Sequence, residues 1–203
     1  MSRSKSSERW LAEHFADKYV KQSHQLAVRS RAAFKLIEID KRDRLLKPGL
    51  RVIELGAAPG GWTQYISEKV GPTGDVLAVD ILEMEAVEGV PVMCADFTAD
   101  EALEAIRSHF SDQKVDLVLS DMAPNFTGQP VVDQPRLMYL AELALDMCEE
   151  FLAPHGRVLV KTFQGAGFEE LMHNFRQQFK VVKTRKPDAS RARSREVYIL
   201  AGR

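Results

Sequence analysis

Two charged side chains stand where apolar runs end: Asp121 closes VLSD and Lys161 follows RVLV. An ammonium directly after a buried run needs a partner, because an unpaired charge beside a core is costly. Asp121 is the obvious carboxylate if the two runs are neighbouring strands. The pair can close a sheet edge as a plain ion pair, or it can present an amine that takes a proton from a hydroxyl. Upstream, ELGAAPGGW places Gly56, Gly60 and Gly61 directly after another apolar run, which allows a tight turn and a close approach of backbone to ligand. The next two runs end in Asp80 and Asp96. A carboxylate at the first of these ends has two acceptor oxygens for the two ribose hydroxyls of an adenosine, and Asp96 can receive the adenine amine.

The loop reads G-A-A-P-G-G and not G-x-G-x-x-G, and Pro59 has no N–H to offer a pyrophosphate. S-adenosyl-L-methionine therefore suits it better than a nicotinamide dinucleotide. Trp62 either packs a helix or lines the cofactor site, and position alone leaves that open. A rival chemistry is methylation of a base amine, whose enzymes often carry [N/D/S]-P-P-[Y/F] after the fourth strand. Here Met122 follows the aspartate in place of proline, and no ring has come by Asn125. A stacking ring for a flipped base is missing from the motif. Lys161 fits hydroxyl activation better.

These residues need a scaffold that brings strand ends together. Short apolar runs at 51–55, 75–80, 91–96, 115–121, 157–163, 179–184 and 196–201 read as strands. WTQYISEKV, 101–110, 137–152 and FEELMHNFRQQ between them read as helices. The alternation predicts a mostly parallel, doubly wound α/β sheet, with ligands outside the carboxyl ends of its strands. RKPDASRARSR is too short for a crossover helix, so the last two strands should be antiparallel. Ahead of the sheet, Ser7 can cap a helix carrying Trp10, Leu11, Phe15 and Tyr19. A second helical stretch with Phe34, Ile37 and Leu45 stops before Lys47-Pro48-Gly49.

Composition narrows the class. The chain has 203 residues with 45% hydrophobic content, enough for one sizeable core. No apolar run approaches the roughly 18 residues of a membrane span, and the opening MSRSKSSERW lacks the apolar block of a secretory signal. A soluble cytoplasmic protein is expected. Cys94 and Cys148 form no C-x-x-C pair, and the five histidines lack metal-ligand spacing, so no metal is expected. The net charge of -1 conceals segregation, with 13 Lys or Arg against 6 Asp or Glu in residues 1–51, 7 against 21 in 52–179, and 8 against 2 in 180–203. Basic ends around an acidic middle suit a polyanionic partner such as RNA, though charge runs are also ordinary solvated faces.

RWLAEHFADKYVKQ, RSRAAFKLIEID, LGAAPGGWTQY, the DMAPN turn, GRVLVKTFQG and RSREVYIL follow one another over almost the whole chain. In that order they resemble the blocks of the FtsJ-type (RrmJ) ribosomal RNA 2'-O-methyltransferases. The resemblance implies a Rossmann-like class I methyltransferase fold, a seven-stranded sheet with its last strand antiparallel. It implies one domain over 1–203 with a basic helical arm at 1–48. It further implies a catalytic tetrad of Lys35, Asp121, Lys161 and Glu196. Contacts to S-adenosyl-L-methionine fall on Gly56, Ala57, Pro59, Gly60, Trp62, Asp80, Asp96 and Asp121. Spacing alone selects neither Lys35 nor Glu196. The implied substrate is a uridine of large-subunit ribosomal RNA, presented within the assembled subunit. A monomer is expected, because no apolar helical stripe is left over once the sheet is covered. A base-directed enzyme and a non-catalytic RNA-binding assembly factor are the alternatives. Phosphates would be held by Arg3, Lys5, Arg9, Lys18, Lys21, Arg29 and Arg31 of the arm, and by Arg185, Lys186, Arg191, Arg193 and Arg195 of the tail.

Overall fold

The computed structural model describes residues 29–191 and 193–203. The capped helix expected around Trp10 to Tyr19, and the basic residues Arg3, Lys5, Arg9, Lys18 and Lys21, lie outside the described residues. The elements are α1 (Ala32–Asp43), β1 (Arg51–Leu55), α2 (Gly61–Val70), β2 (Asp75–Asp80), β3 (Val92–Cys94), α3 (Asp100–His109), β4 (Val115–Ser120), α4 (Pro130–Phe151), β5 (Leu152–Phe163), α5 (Phe168–Gln178), β6 (Val181–Arg185) and β7 (Glu196–Gly202).

The strands form one seven-stranded sheet in the order β3-β2-β1-β4-β5-β7-β6. Every pairing is parallel except those of β7, which runs antiparallel to both β5 and β6. The doubly wound α/β sheet with a reversed last strand is thus present. β1 and β4 are neighbours, as are β4 and β5, so the ends bearing Gly56, Asp121 and Lys161 lie side by side.

Strand periodicity sorts the core into two layers. Ile53, Leu55, Val79, Val118, Val160 and Ile199 face the layer containing residues of α3, α4 and α5. Val52, Ala78, Leu117, Leu119, Leu159, Tyr198 and Leu200 face the layer of α1 and α2. Sequence reading places the start of α4 at Leu137. The helix instead begins at Pro130 and runs through Pro135. Pro130 in the first turn needs no intrahelical acceptor, and the ring of Pro135 costs one bond to Val131, whose side chain is largely exposed. α1 ends at Asp43, where Arg44 turns left-handed at φ 51°, so Leu45 lies past the helix and not within it. Among the described residues no helix is long and apolar enough to cross a membrane.

Candidate active site

Asp121, Lys161 and Glu196 emerge on one rim of the sheet for a simple reason. Each sits two residues from a member of the α1–α2 layer, namely Leu119, Leu159 and Tyr198, so each continues that face at its strand end. α1 lies over this face and delivers Lys35. Lys161 Nζ is 3.1 Å from Asp121 Oδ1 and donates to the backbone oxygen of Asp121 at 2.6 Å. Lys35 Nζ is 2.6 Å from Glu196 Oε1 and donates to Oε2 at 2.8 Å. The side chains are nearly dry, with Lys161 9% exposed, Asp121 16%, and Lys35 and Glu196 12% each. Such pairs are specific arrangements, because burial costs each charge its hydration.

Two further groups complete the arrangement. The Tyr198 hydroxyl donates to Asp121 Oδ1 at 2.8 Å, and the Ser190 hydroxyl donates to Glu196 Oε1 at 2.8 Å. Burial alone would raise the Glu196 carboxyl. Lys35, by charge and hydrogen bond, with Ser190 and then Lys161, reverses this and holds it below its ordinary value. The Tyr198 phenol is pushed far above its ordinary value, first by burial and then by the charges of Asp121 and Glu196, so it stays a donor. Neither Tyr198 nor Ser190 stood out in the sequence. Glu196, Tyr198 and Leu200 on one face was the available signal, and it marks Tyr198 only as core.

The glycine loop is tied to β2, with Gly56 N–H and Ala57 N–H both donating to the Val79 carbonyl. Gly56 has φ 76°, and a Cβ there would meet Met122 Cγ at 2.8 Å and Met122 N at 2.9 Å. The glycine therefore lets its loop press against the loop that carries Asp121. Gly60 is the left-handed residue before α2, at φ 95°. The first amides of α2 follow it without intrahelical acceptors. Asp80 accepts from Ala58 N–H through Oδ2 and from Leu82 N–H through Oδ1, both at 2.8 Å. A carboxylate oxygen takes two donors, so Asp80 keeps one acceptor site on each oxygen. Asp96 Oδ1 accepts from Thr98 N–H and its hydroxyl, which leaves Oδ2 of this exposed residue for a ligand. Ile81 and Leu82, 70% and 61% exposed, lie just beyond Asp80 as an apolar surface. These acceptors, the amides and the apolar surface fit a nucleoside with two ribose hydroxyls.

Trp62 goes the packing way. Its indole is 2% exposed, donates to the Ala32 carbonyl at 2.8 Å and tilts against the Tyr198 ring. Only its backbone is left for a cofactor. Pro59 is exposed and Ala57 buried.

Several cations expected to hold phosphate have partners within the protein. Arg185 makes a two-pronged pair with Asp43, at 2.7 Å and 2.6 Å, in which the side chains are 12% and 8% exposed. Arg29 donates to the carbonyls of Glu85 and Ala86, both at 2.5 Å, and Arg31 donates to that of Ala189. Lys186 donates to the carbonyls of Ser194 and Glu196. These four act as ties between segments, a role charge counting cannot see. Arg195 remains exposed at the mouth of the tail loop, beside Glu196.

A doubly wound sheet with this reversed strand, a glycine loop beside the strand ends carrying Asp80 and Asp96, and a lysine held at a nearby strand end define a methyltransferase architecture. Residues 28–203 match the FtsJ-like methyltransferase family, and the chain belongs to it. A crystal structure of a Plasmodium falciparum protein described as a ribosomal RNA methyltransferase is similar, at 26% identity and a TM-score of 0.75 over 86% of this chain and 97% of that one. A Clostridium thermocellum protein described as an rRNA methylase shares the fold, at 17% identity and a TM-score of 0.56 over 80% of this chain and 93% of that one.

Proposed function

We propose that this methyltransferase moves a methyl group from S-adenosyl-L-methionine to a ribose 2'-hydroxyl in ribosomal RNA. The acceptor is a uridine of the large subunit, met in the assembled subunit. The enzyme acts as a cytoplasmic monomer, one domain with its basic arm. The observation that carries this reading is the amine of Lys161, fixed by two oxygens of Asp121 at the strand end next to the glycine loop.

S-adenosyl-L-methionine supplies, when bound, an already electrophilic methyl carbon. The protein's tasks are alignment and proton removal from a poorly nucleophilic hydroxyl. A neutral lysine amine has two N–H groups and one lone pair. The side-chain and main-chain oxygens of Asp121 can take both N–H groups, which leaves the lone pair for the incoming hydroxyl. Once Lys161 accepts the proton, the adjacent carboxylate balances the new charge. Tyr198 keeps Asp121 oriented throughout. Lys35 and Ser190 hold Glu196 as an ionised neighbour facing Lys161. Asp80 and Asp96 would hold the ribose and base of the cofactor, with Gly56, Ala57, Pro59, Gly60 and the Trp62 backbone shaping the loop around it.

The test is transfer from methyl-labelled S-adenosyl-L-methionine to large ribosomal subunits lacking the modification, followed by mapping of the labelled nucleotide. Label on a ribose 2'-oxygen supports the reading. Label that persists when the target carries a 2'-deoxyribose points to a base-directed enzyme. Binding of subunits without any transfer points to an assembly factor.

A further inference from the structure

Phe126 is a large apolar side chain left 56% exposed. It lies five residues beyond Asp121 on the loop from β4 to α4, directly after the Asn125 at which the sequence motif lacks a ring. Its ring meets that of Phe163 edge-on, with centroids 5.8 Å apart and planes at 66°. Phe163 closes β5, two residues beyond Lys161. β4 and β5 are parallel neighbours in which Ser120 pairs with Val160. The two rings therefore stand at the same two strand ends that form the Asp121–Lys161 pair, with Phe163 also packed against the layer of α3, α4 and α5.

The loop holding Phe126 is pinned. Asp133 in the first turn of α4 accepts Thr127 N–H and the Thr127 hydroxyl on one oxygen and Gly128 N–H on the other, at 2.9, 2.9 and 3.0 Å. Those three bonds lower the Asp133 carboxyl below its ordinary value. On the other side, Gln134 Nε2 donates to the Phe163 carbonyl at 3.2 Å and to the Ala166 carbonyl at 3.1 Å. An edge-to-face contact covers at most one face of either ring, so at least one face of the half-exposed Phe126 ring is left for another π-system. A fixed, exposed ring face beside a reacting centre is what an unstacked base needs when its sugar is drawn out for chemistry.

We propose that Phe126, buttressed by Phe163, is the stacking platform for the base of the RNA nucleotide whose ribose faces Lys161. This rests on the ribose reading above for the orientation of the nucleotide. Stacking tolerates any base, so Phe126 contributes affinity and alignment, while the choice of nucleotide comes from elsewhere.

The test compares full-length wild type with Phe126→Ala, Phe126→Leu and Phe126→Trp. Dissociation constants for a fluorescently labelled single-stranded RNA oligonucleotide and for S-adenosyl-L-methionine are measured together with kcat and KM on ribosomal subunits. Loss of one base–aromatic stack weakens RNA binding about 5- to 150-fold. Phe126→Ala should show that loss with cofactor affinity changed less than about twofold, Phe126→Trp should restore it, and Phe126→Leu should not. RNA binding by Phe126→Ala within about twofold of wild type overturns the proposal, as does rescue by Leu equal to that by Trp. If wild type methylates a 2'-deoxy target while Phe126→Ala still loses affinity, the ribose reading fails and the platform stands.

Discussion

Lys161 Nζ lies 2.6 Å from the main-chain oxygen of Asp121 and 3.1 Å from its Oδ1, so one residue holds the amine at two points. A rotation of the Asp121 side chain alone cannot release it. This geometry separates two roles for Lys161, as proton acceptor and as fixed positive charge. Lys161→Ala should lower kcat by at least about 10²-fold, with cofactor affinity measured by calorimetry nearly unchanged. Lys161→Arg keeps the charge but cannot give up a proton at workable pH, and it should be equally inactive. Wild-type turnover by either variant at neutral pH removes Lys161 from the role of base.

Tyr198 supports Asp121 from below. Tyr198→Phe deletes one hydroxyl and leaves Asp121 Oδ1 short of a donor in a nearly dry site. The loss of a hydrogen bond to a charged acceptor should lower stability by about 1.5–3 kcal/mol, seen in urea unfolding. The rate should fall much less than for Lys161→Ala, since Lys161 still grips Asp121. A Tyr198→Phe enzyme as inactive as Lys161→Ala would mean that the phenol itself takes part in the chemistry.

The strand ends were legible in the residues themselves, while Lys35 and Glu196 came only from the family resemblance. Asp121 and Lys161 follow apolar runs, and run-by-run reading places both at the edge of the sheet. Lys35 sits on a helix among other charges, and nothing local distinguishes it from a solvated lysine. Its meaning comes from how α1 lies over the rim, where it reaches Glu196 across 161 positions of sequence. Arg185 shows the opposite failure. It belongs to a basic tail in sequence, yet its partner Asp43 is 142 positions away. The ring at Phe126 falls one residue outside the motif window, and only the pinned loop reveals its placement.

Arg185 and Arg195 should therefore behave differently when truncated. Arg185→Ala leaves the Asp43 carboxylate buried without its fork, at a cost of about 3 kcal/mol in unfolding free energy. The Arg185 hydrogen bond, opposed by burial and aided by nearby arginine charges, holds Asp43 below its ordinary value of 3.8. The pair's contribution is therefore present above that pH and fades as pH falls below it, so wild type and variant should converge in acid. Arg195→Ala should leave stability nearly unchanged and make RNA binding less steeply dependent on salt. An unchanged salt slope would free Arg195 from any phosphate contact.

Gly56→Ala probes the contact between the glycine loop and the loop carrying Asp121. The new Cβ would lie within 3 Å of both the side chain and the backbone nitrogen of Met122, at a residue with φ 76°. Backbone cannot swing aside as a flexible side chain can, so the loop holding Asp121 must shift. Cofactor affinity and kcat should fall together, and a loss confined to cofactor affinity would show the two loops to be independent.

Glu54 is a buried carboxyl that the proposed chemistry does not use, and it has a pH signature of its own. It lies in the middle of β1, 1% exposed, in register with Ala78 and Leu119, and it faces the α1–α2 layer. Oε2 has no hydrogen-bond partner, nor does the hydroxyl of Thr63 in the first turn of α2. Burial, the largest cause, pushes the Glu54 carboxyl from 4.5 up to about 8; nearby Thr63 opposes it, and the charges of Asp121 and then Asp80 add to it. The folded protein then keeps a proton that the unfolded chain gives up above 4.5, and this contribution to stability is lost as pH rises from 4.5 through about 8. Glu54→Gln keeps the shape and cannot ionise. Relative to wild type it should gain stability steadily from pH 5 to about pH 8 in urea titrations and level off above that, and methyl transfer should survive near neutrality. A stability difference that does not vary with pH would mean that Glu54 is already ionised in the fold.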